Sequence, residues 1–504
     1  MSTESSTLQD VSTALAPPGC PPQAASAAPV TLKQQTIKGL AWSGTSQFGK
    51  QVCQLIITAV LARLLSPKDF GLLGMATVFI QLPAMFGELG LTGALIQKKD
   101  IADAHYASGF WMSIAMGGIL TALMLLAAPL IGRFYGRPEL VLILRVISAT
   151  FLIGAFGTVQ QAILMRKMQF KSLTIRNLTA VVVSGVVGIS AAWMGWGVWS
   201  LVLQFVSFQL MDVVLLWLLS DWRPRAAPSV PAMKETLHFS LPLTGFNVTS
   251  YFATNVDYLL IGKFLGAGEL GLYTLAYKCM LLPIQNISWT IMRVMFPAFA
   301  KIQDHPDRVQ KHYAQMLKGI ALVTFPMMCG LFVLAPEAVE VAFGSQWAGA
   351  IGPIRIFCFC GMAQSLGTTA GTIYRSQGRP DMELKLGVIN ALCTAAVVMG
   401  SLRWGINGVA LGYTVFSVLW ANVLLLSTRV LIGGSWRELY KSIAFPVLLS
   451  LALTMELFVI KGLLNVTALG TVVVLSAVFG CSYLALLVVF RQIQFKNKVV
   501  MLGA

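Results

Sequence analysis

Four polar residues of the first long apolar stretch, Ser43, Gln47, Lys50 and Gln54, fall within an arc of about 60° at helical spacing. A second stripe, Asn247, Tyr251, Thr254 and Tyr258, recurs two hundred positions later, where Asn247 aligns with Gln47 and Thr254 with Gln54. Amides, hydroxyls and one ammonium in this arrangement suit hydration of a cavity and attraction of a polar or anionic solute, without a chemical step. The plainer reading is hydrogen bonding between helices of a dry bundle. Lys50 argues against it, because it would sit about 18 Å from either end of its span. An unpaired cation at that depth costs roughly 2.5–3.5 kcal/mol, so the side chain needs water, an anion or a carboxylate.

The eighth apolar stretch carries two more deep cations, Lys278 and Arg293, fifteen residues and hence about 60° apart on a continuous helix. Arg145 and Arg355 lie near the external ends of their spans. Arg176 and Lys318 lie near cytoplasmic ends, where snorkelling to the interface accounts for them. Four acids fall within spans: Glu88, Asp212, Asp257 and Glu456. Each suits an ion pair, and Asp257 and Glu88 are also candidates to bind a coupling proton or sodium ion. His105, His238, His305 and His312 all fall at cytoplasmic boundaries, and none is a midplane proton relay. The eight cysteines show neither a disulfide framework nor zinc-site spacing. Cys358 and Cys360 read as small apolar fillers. No metal site or cofactor motif is expected.

The elements that must hold these residues follow from composition. The chain is 56% hydrophobic and 11% charged, against about 25% charged for a soluble domain. Fourteen stretches between residues 39 and 490 are long enough to cross a hydrocarbon core about 30 Å thick, which predicts an all-α polytopic membrane protein. The net charge of +16 is not a nucleic-acid signature. Placing the N-terminus inside puts most of the Lys and Arg on the cytoplasmic side, as the positive-inside rule requires, with both ends cytoplasmic. Residues 1–31 lack the basic start and apolar centre of a secretory signal and read as a disordered cytoplasmic tail.

The chain also repeats itself. Leu61-Ala62-Arg63-Leu64-Leu65-Ser66-Pro67-Lys68-Asp69-Phe70-Gly71-Leu72 matches Ile261-Gly262-Lys263-Phe264-Leu265-Gly266-Ala267-Gly268-Glu269-Leu270-Gly271-Leu272. The match continues to Pro83 and Pro283, which suggest equivalent bends. Six spans separate the copies, so the two lobes have the same topology and a pseudo-two-fold axis along the membrane normal is expected. The expected organisation is a tail (1–31), an N-lobe of spans 1–6 (32–220), a cytoplasmic linker (221–236), a C-lobe of spans 7–12 (237–430), and spans 13–14 with a cytoplasmic end (431–504). No loop leaves room for an extramembrane catalytic domain.

The first-span exit, Ala62-Arg63-Leu64-Leu65-Ser66-Pro67-Lys68-Asp69-Phe70-Gly71, resembles that of Wzx-type polysaccharide flippases of the multidrug/oligosaccharidyl-lipid/polysaccharide superfamily. Gly262-Lys263-Phe264-Leu265-Gly266 with Leu270-Gly271-Leu272-Tyr273 is similar to the family's second copy. The resemblance covers roughly residues 33–490 and looks nearest the colanic-acid-exporter-like branch. It implies a V-shaped, two-lobed fold like that of the multidrug antiporters, with helices 1, 2, 7 and 8 around a central cavity. It implies export of undecaprenyl-diphosphate-linked oligosaccharide across the bacterial inner membrane, for exopolysaccharide or O-antigen synthesis. By position it assigns Lys50, Lys278 and Arg293 to the anionic head of that substrate, with Gln47, Gln54, Asn247, Thr254 and Tyr251 beside them. Membrane lipids, a polysaccharide polymerase and export machinery are the expected partners.

Two other readings compete. A cation or drug antiporter of the same superfamily would favour carboxylates in the cavity, whereas the deepest charge here is Lys50. A membrane glycan polymerase or acyltransferase would call for a large external loop, a DxD motif or a midplane histidine, and the sequence has none of these.

Overall fold

The computed structural model describes residues 49–97, 102–224, 251, 255–433, 436–463 and 467–502. All regular structure among them is helical. A bilayer imposes this, since every backbone N–H and C=O must find its partner within the chain. The first half comprises α1 (49–64), α2 (Pro67–Gln97), α3 (Asp103–Tyr135), α4 (Glu139–Ala155), α5 (Thr158–Arg166), α6 (Phe170–Trp193) and α7 (Val198–Leu219). The second comprises α8 (255–264), α9 (Ala267–Pro283), a π-helical turn (Ile284–Ser288), α10 (Trp289–Lys301), α11 (Pro306–Ala342), α12 (Ile351–Gly367), α13 (Ala370–Ser376), α14 (Pro380–Ser401) and α15 (Gly405–Ile432). Two further helices, α16 (Trp436–Leu463) and α17 (Ala468–Leu502), complete the chain.

Among the described residues, seven helices are long and apolar enough to cross a membrane, or eight if α4 and α5, bent by 43°, count as one span. Their outward faces are apolar. On α3, Leu123, Leu126 and Leu130 are exposed while Met124, Ala128 and Ile131 are buried. In water such a stripe would be a liability, but against acyl chains it costs nothing.

Both halves use one packing scheme. In the first, α3 packs on α4, α6 on α7, α4 on α7 and α2 on α4; in the second, α11 packs on α12, α14 on α15, α12 on α15 and α9 on α12. The fourth span is broken in both halves, between α4 and α5 and between α12 and α13. The appendage docks chiefly on α11, through both α16 and α17, and Tyr440 of α16 also donates to the Asn422 side chain of α15. Lys461 on α16 reaches Glu337 on α11 at 2.7 Å, and a small apolar cluster of Val333, Leu334, Leu457 and Leu475 lies beside that pair.

The halves join chiefly through α2 and α9. The main core straddles this junction, with Leu61, Met75 and Ile80 from one side and Leu270, Tyr273 and Phe357 from the other. The matched prolines sit in different local backbone. Helix α2 is unbroken through residue 83, whereas α9 ends at Pro283 and runs into the π-turn. A proline deletes a hydrogen bond in each case, and only the second copy widens its backbone in response.

Candidate functional site

The repeat motif builds a tight crossing. Ser66 caps α2: its hydroxyl and backbone N–H both donate to the Asp69 carboxylate, at 2.6 and 2.9 Å, and Pro67 takes the first helical position, where its missing N–H is harmless. In the second copy Gly266 stands in for Ser66 with φ of +89°, a conformation only glycine adopts freely. The two helix starts then cross. A Cβ on Gly71 would lie 1.7 Å from the Ala267 carbonyl oxygen, and one on Gly271 would lie 1.9 Å from that of Pro67. Because Gly71 aligns with Gly271 and Pro67 with Ala267, the contact is reciprocal, as a two-fold relation would make it.

The basic residues that open the motif act across the same junction. At the end of α1, Arg63 donates to the Val341 and Ala342 carbonyls that close α11. At the end of α8, Lys263 donates to the Phe134 carbonyl that closes α3 and lies 5.0 Å from that residue's ring centroid. Each cation thus satisfies orphan carbonyls at a helix C-terminus of the opposite half, where the helix dipole favours positive charge. Trp347 and Gln346 do the same for α1, donating to the Ala62 carbonyl; the tryptophan bond is 2.7 Å. Among the described residues this end is closed by backbone contact, four capping side chains and a Phe70–Trp347 edge-to-face pair at 5.1 Å.

Away from that end the walls carry charge. Lys50 is half-buried on α1 and Gln54, one turn on, is exposed. Helix α1 packs on α6, with Gly49 against Leu178 and Ile57 against Gly185. On α6, Arg176 reaches Asp212 of α7 at 3.1 Å, their side chains only 10% and 13% exposed, and donates to the Gln161 side chain at 3.2 Å. By helix rise all three charges lie about 20–25 Å from the closed end, in one layer. Arg176 is therefore not a snorkelling side chain: it points into the bundle because a carboxylate at matching depth receives it. The sequence held a signal for this pair. The turn at 194–197 joins α6 to α7, and counting back from it places Arg176 and Asp212 within about one turn of each other.

In the second half Lys278 and Arg293 are both exposed and make no ion pair among the described residues. Lys278 is exposed on a helix whose Tyr273, Thr274, Leu275, Ala276 and Met280 are buried. The expected spacing of about 60° between the two assumed a continuous helix; the π-turn lies between them and changes their relative direction.

Other expected positions fall differently. Tyr251 is 5% exposed and its hydroxyl donates to the Val78 carbonyl of α2 at 2.9 Å. It is a hydrogen bond between halves rather than an open cavity surface. Asp257 is 2% exposed, accepts from the Tyr273 hydroxyl at 2.9 Å and has no cation partner among the described residues. Around it Tyr258, Tyr273 and Tyr277 form a ring cluster with Phe357 and Tyr413. Glu456 accepts from Ser482 at 2.6 Å and pairs with no base among the described residues. Ser43, Gln47, Asn247 and Thr254 lie outside the described residues, as does the side chain of Glu88. No group of His, Cys, Asp and Glu suited to a metal ion occurs among the described residues.

Helical halves that meet at one end, line the region beyond it with charge and face outward with leucine define a multi-pass membrane protein of transporter architecture. The sequence profile of the polysaccharide biosynthesis protein family matches residues 60–352, more than half of the chain, and the chain belongs to that family. It is 27% identical to the lipopolysaccharide biosynthesis protein WzxC of Escherichia coli K12, over 84% of this chain and 87% of the relative. It is 26% identical to the succinoglycan biosynthesis transport protein ExoT of Rhizobium meliloti, over 81% of each. Among solved structures, the lipid II flippase MurJ in an inward closed conformation superposes with a TM-score of 0.74 at 16% identity, covering 91% of this chain and all of that one. An inward-facing multidrug resistance MATE transporter of the MOP superfamily gives 0.62 at 17% identity, over 76% and 94%. These likenesses establish the all-helical transporter fold.

Proposed function

We propose that this protein moves a lipid-linked oligosaccharide, built on undecaprenyl diphosphate, from the cytoplasmic to the outer leaflet of the bacterial inner membrane, with both termini cytoplasmic. The observation that carries this reading is Lys278, an exposed cation within the apolar helix α9 that makes no ion pair among the described residues. A hydrated sugar diphosphate cannot cross hydrocarbon unaided. A cationic cavity lowers that barrier by Coulomb attraction, while the polyprenyl tail stays in lipid. Lys278, Arg293 and Lys50 attract the diphosphate, and the polar seam of Gln54 and its neighbours hydrates the sugar. The names of the relatives, which speak of lipopolysaccharide synthesis and succinoglycan transport, support a surface-glycan substrate, and a polymerase would take up the product.

With the closed end at Gly71 and Gly271, the cavity opens toward the linker. Rocking of the halves about the α2–α9 crossing would expose it to the other side. Asp257, buried without a basic partner among the described residues, is the candidate for a coupling proton or sodium ion, with Glu88 as the second. Lys278 and Arg293, which make no ion pair among the described residues, disfavour the alternative cargo, an organic cation. The test is a deletion strain lacking any second flippase. Loss of the surface polysaccharide, restored by the wild-type gene and not by a Lys278→Gln variant, supports the reading. A deletion strain that still displays its polysaccharide refutes it.

A further inference from the structure

The end of α11 opposite the closed one carries a groove of mixed charge. It runs between the first turns of α11 and those of α16 and has a volume of about 510 Å³, within the roughly 300–1,000 Å³ of small-molecule sites. Among the described residues, Asp307, Lys311 and Lys318 of α11 and Glu438 of α16 line it, with Gln310 and Ser442 beside them. Gln310 donates to the Glu438 carboxylate at 2.9 Å, which ties the two helices together there. Asp307 and Lys311 stand four positions apart with the acid first, the spacing that favours an ion pair on a helix. Yet Asp307, Lys311 and Glu438 make no ion pair among the described residues.

The charges are ordered by depth. Asp307 and Glu438 occupy the first turns of their helices. Lys318 lies three turns beyond Asp307, about 16 Å deeper by helix rise, and its ammonium is 5.8 Å from the Phe445 ring centroid. Lys311 stands between. The apolar run of α11 begins directly after Lys318, at Gly319-Ile320-Ala321. Lys318 therefore marks the hydrocarbon boundary, with a stem long enough to reach back toward water. A phospholipid headgroup ending in a primary amine has the matching order, phosphate inside next to the glycerol and ammonium outermost. The lysines suit its phosphate, and the carboxylates accept from its three N–H donors. A phosphoglycerol head offers Asp307 and Glu438 no cation, and a choline head has no N–H to donate.

We infer that this groove binds the headgroup of an amine-bearing phospholipid, of the phosphatidylethanolamine type, from the leaflet at this end, the cytoplasmic one in the topology proposed above. Lys461 and Glu337 join the same two helices near their other ends. A headgroup between Lys311, Lys318 and Glu438 would fasten the appendage to α11 at this end as well. The inference does not depend on what the protein carries.

The test is lipid binding by the full-length protein in detergent, counted by native mass spectrometry with dioleoyl phosphatidylethanolamine, phosphatidylglycerol or phosphatidylcholine. Identical acyl chains leave only the headgroup to differ, and lipid held elsewhere binds wild type and variants alike. The wild type should bind the ethanolamine lipid about three- to fivefold more tightly than the other two, the factor that one or two exposed ion pairs supply. Asp307→Asn with Glu438→Gln keeps shape and an acceptor for Gln310. It should abolish that advantage and leave the glycerol lipid bound as before or more tightly. Lys311→Gln with Lys318→Gln should weaken all three lipids by a similar factor. Melting temperatures without added lipid should match the wild type. Where a double variant melts lower, Glu438→Gln and Lys311→Gln alone carry the same comparison, since both side chains are exposed. Equal binding of the three lipids by the wild type would overturn the inference. So would a preference for the glycerol lipid, or an ethanolamine preference that survives loss of the acids.

Discussion

Gly71 and Ala267 stand so close that a methyl group on the glycine would lie 1.7 Å from the alanine's carbonyl oxygen. The aligned pair, Gly271 and Pro67, repeats the relationship at 1.9 Å. Both obstacles are backbone, which cannot swing aside as a side chain does. Overpacking of a core side chain costs about 1–3 kcal/mol, and a clash with backbone must push whole helices apart. Gly71→Ala and Gly271→Ala are therefore each expected to lower the melting temperature in detergent and to cut transport at least tenfold. Gly74→Ala is the control, since its added Cβ would meet only the flexible Leu270 and Thr274 side chains at about 3.5 Å. Equal transport by the Gly71 and Gly74 variants would show that the crossing is not required.

Arg63 and Lys263 cap helices of the opposite half, so removing either should favour separation of this end. A charge at a helix C-terminus contributes about 0.3–1 kcal/mol, more when partly buried. In a background freed of native cysteines, Leu65→Cys reports on opening, because Leu65 is buried at the junction. Adding Arg63→Met should speed its labelling by a membrane-impermeant maleimide about two- to fivefold. Unchanged labelling would mean that the caps are incidental to closure.

The sequence disclosed most of this architecture because apolar length and repeated motifs are local signals. An all-α chain of long apolar spans was expected, and all regular structure among the described residues is helical, with seven helices long and apolar enough to cross a membrane. The repeat made Gly71 and Gly271 correspond, but nothing in a one-dimensional alignment says that two aligned residues meet each other's neighbours. The site was less legible. Nearness to a span's end suggested snorkelling for Arg176, yet position along one helix does not tell snorkelling from pairing; that depends on Asp212, thirty-six positions away on the next helix. Tyr251 shared a stripe with polar residues, but its direction was set by the Val78 carbonyl on the other half. Helical phase could not order Lys278 and Arg293 either, because the π-turn after Pro283 resets it.

Lys278 gives the sharpest test of the cavity. Lys278→Gln keeps a polar side chain and removes the charge, and it should reduce flipping of a polyprenyl-diphosphate sugar about tenfold or more with normal protein levels. Lys278→Arg should retain most activity, because attraction by positive charge rather than one hydrogen-bond geometry is what the position supplies. Equal loss in both variants would point to packing instead.

The docking of α16 on α11 through Lys461 and Glu337 predicts a charge-reversal rescue. The pair is half-buried, and the ammonium also donates to the Val333 carbonyl at 3.0 Å. Breaking a buried pair costs more than the intact pair contributes, about 3–5 kcal/mol when one charge is stranded. Glu337→Lys should thus loosen the appendage and lower the melting temperature, and adding Lys461→Glu should recover part of the loss. No recovery would show that shape rather than charge holds the helices.

Asp257 tests whether transport draws on an ion gradient. The residue lies in a tyrosine cage without a described basic partner, and its carboxylate accepts from Tyr273. Asp257→Asn keeps the shape and removes both the charge and the titrating proton. If Asp257 binds the coupling ion, this variant should lose the acceleration that an imposed proton or sodium gradient gives the wild type, while slow flipping without a gradient persists. Tyr273→Phe should act in the same direction and more weakly, because it removes one hydrogen bond and leaves the carboxylate. A wild type indifferent to both gradients would remove the ion from the mechanism and leave Asp257 a structural acceptor for Tyr273. An Asp257→Asn variant that still answers to the gradient would shift the coupling role to Glu88.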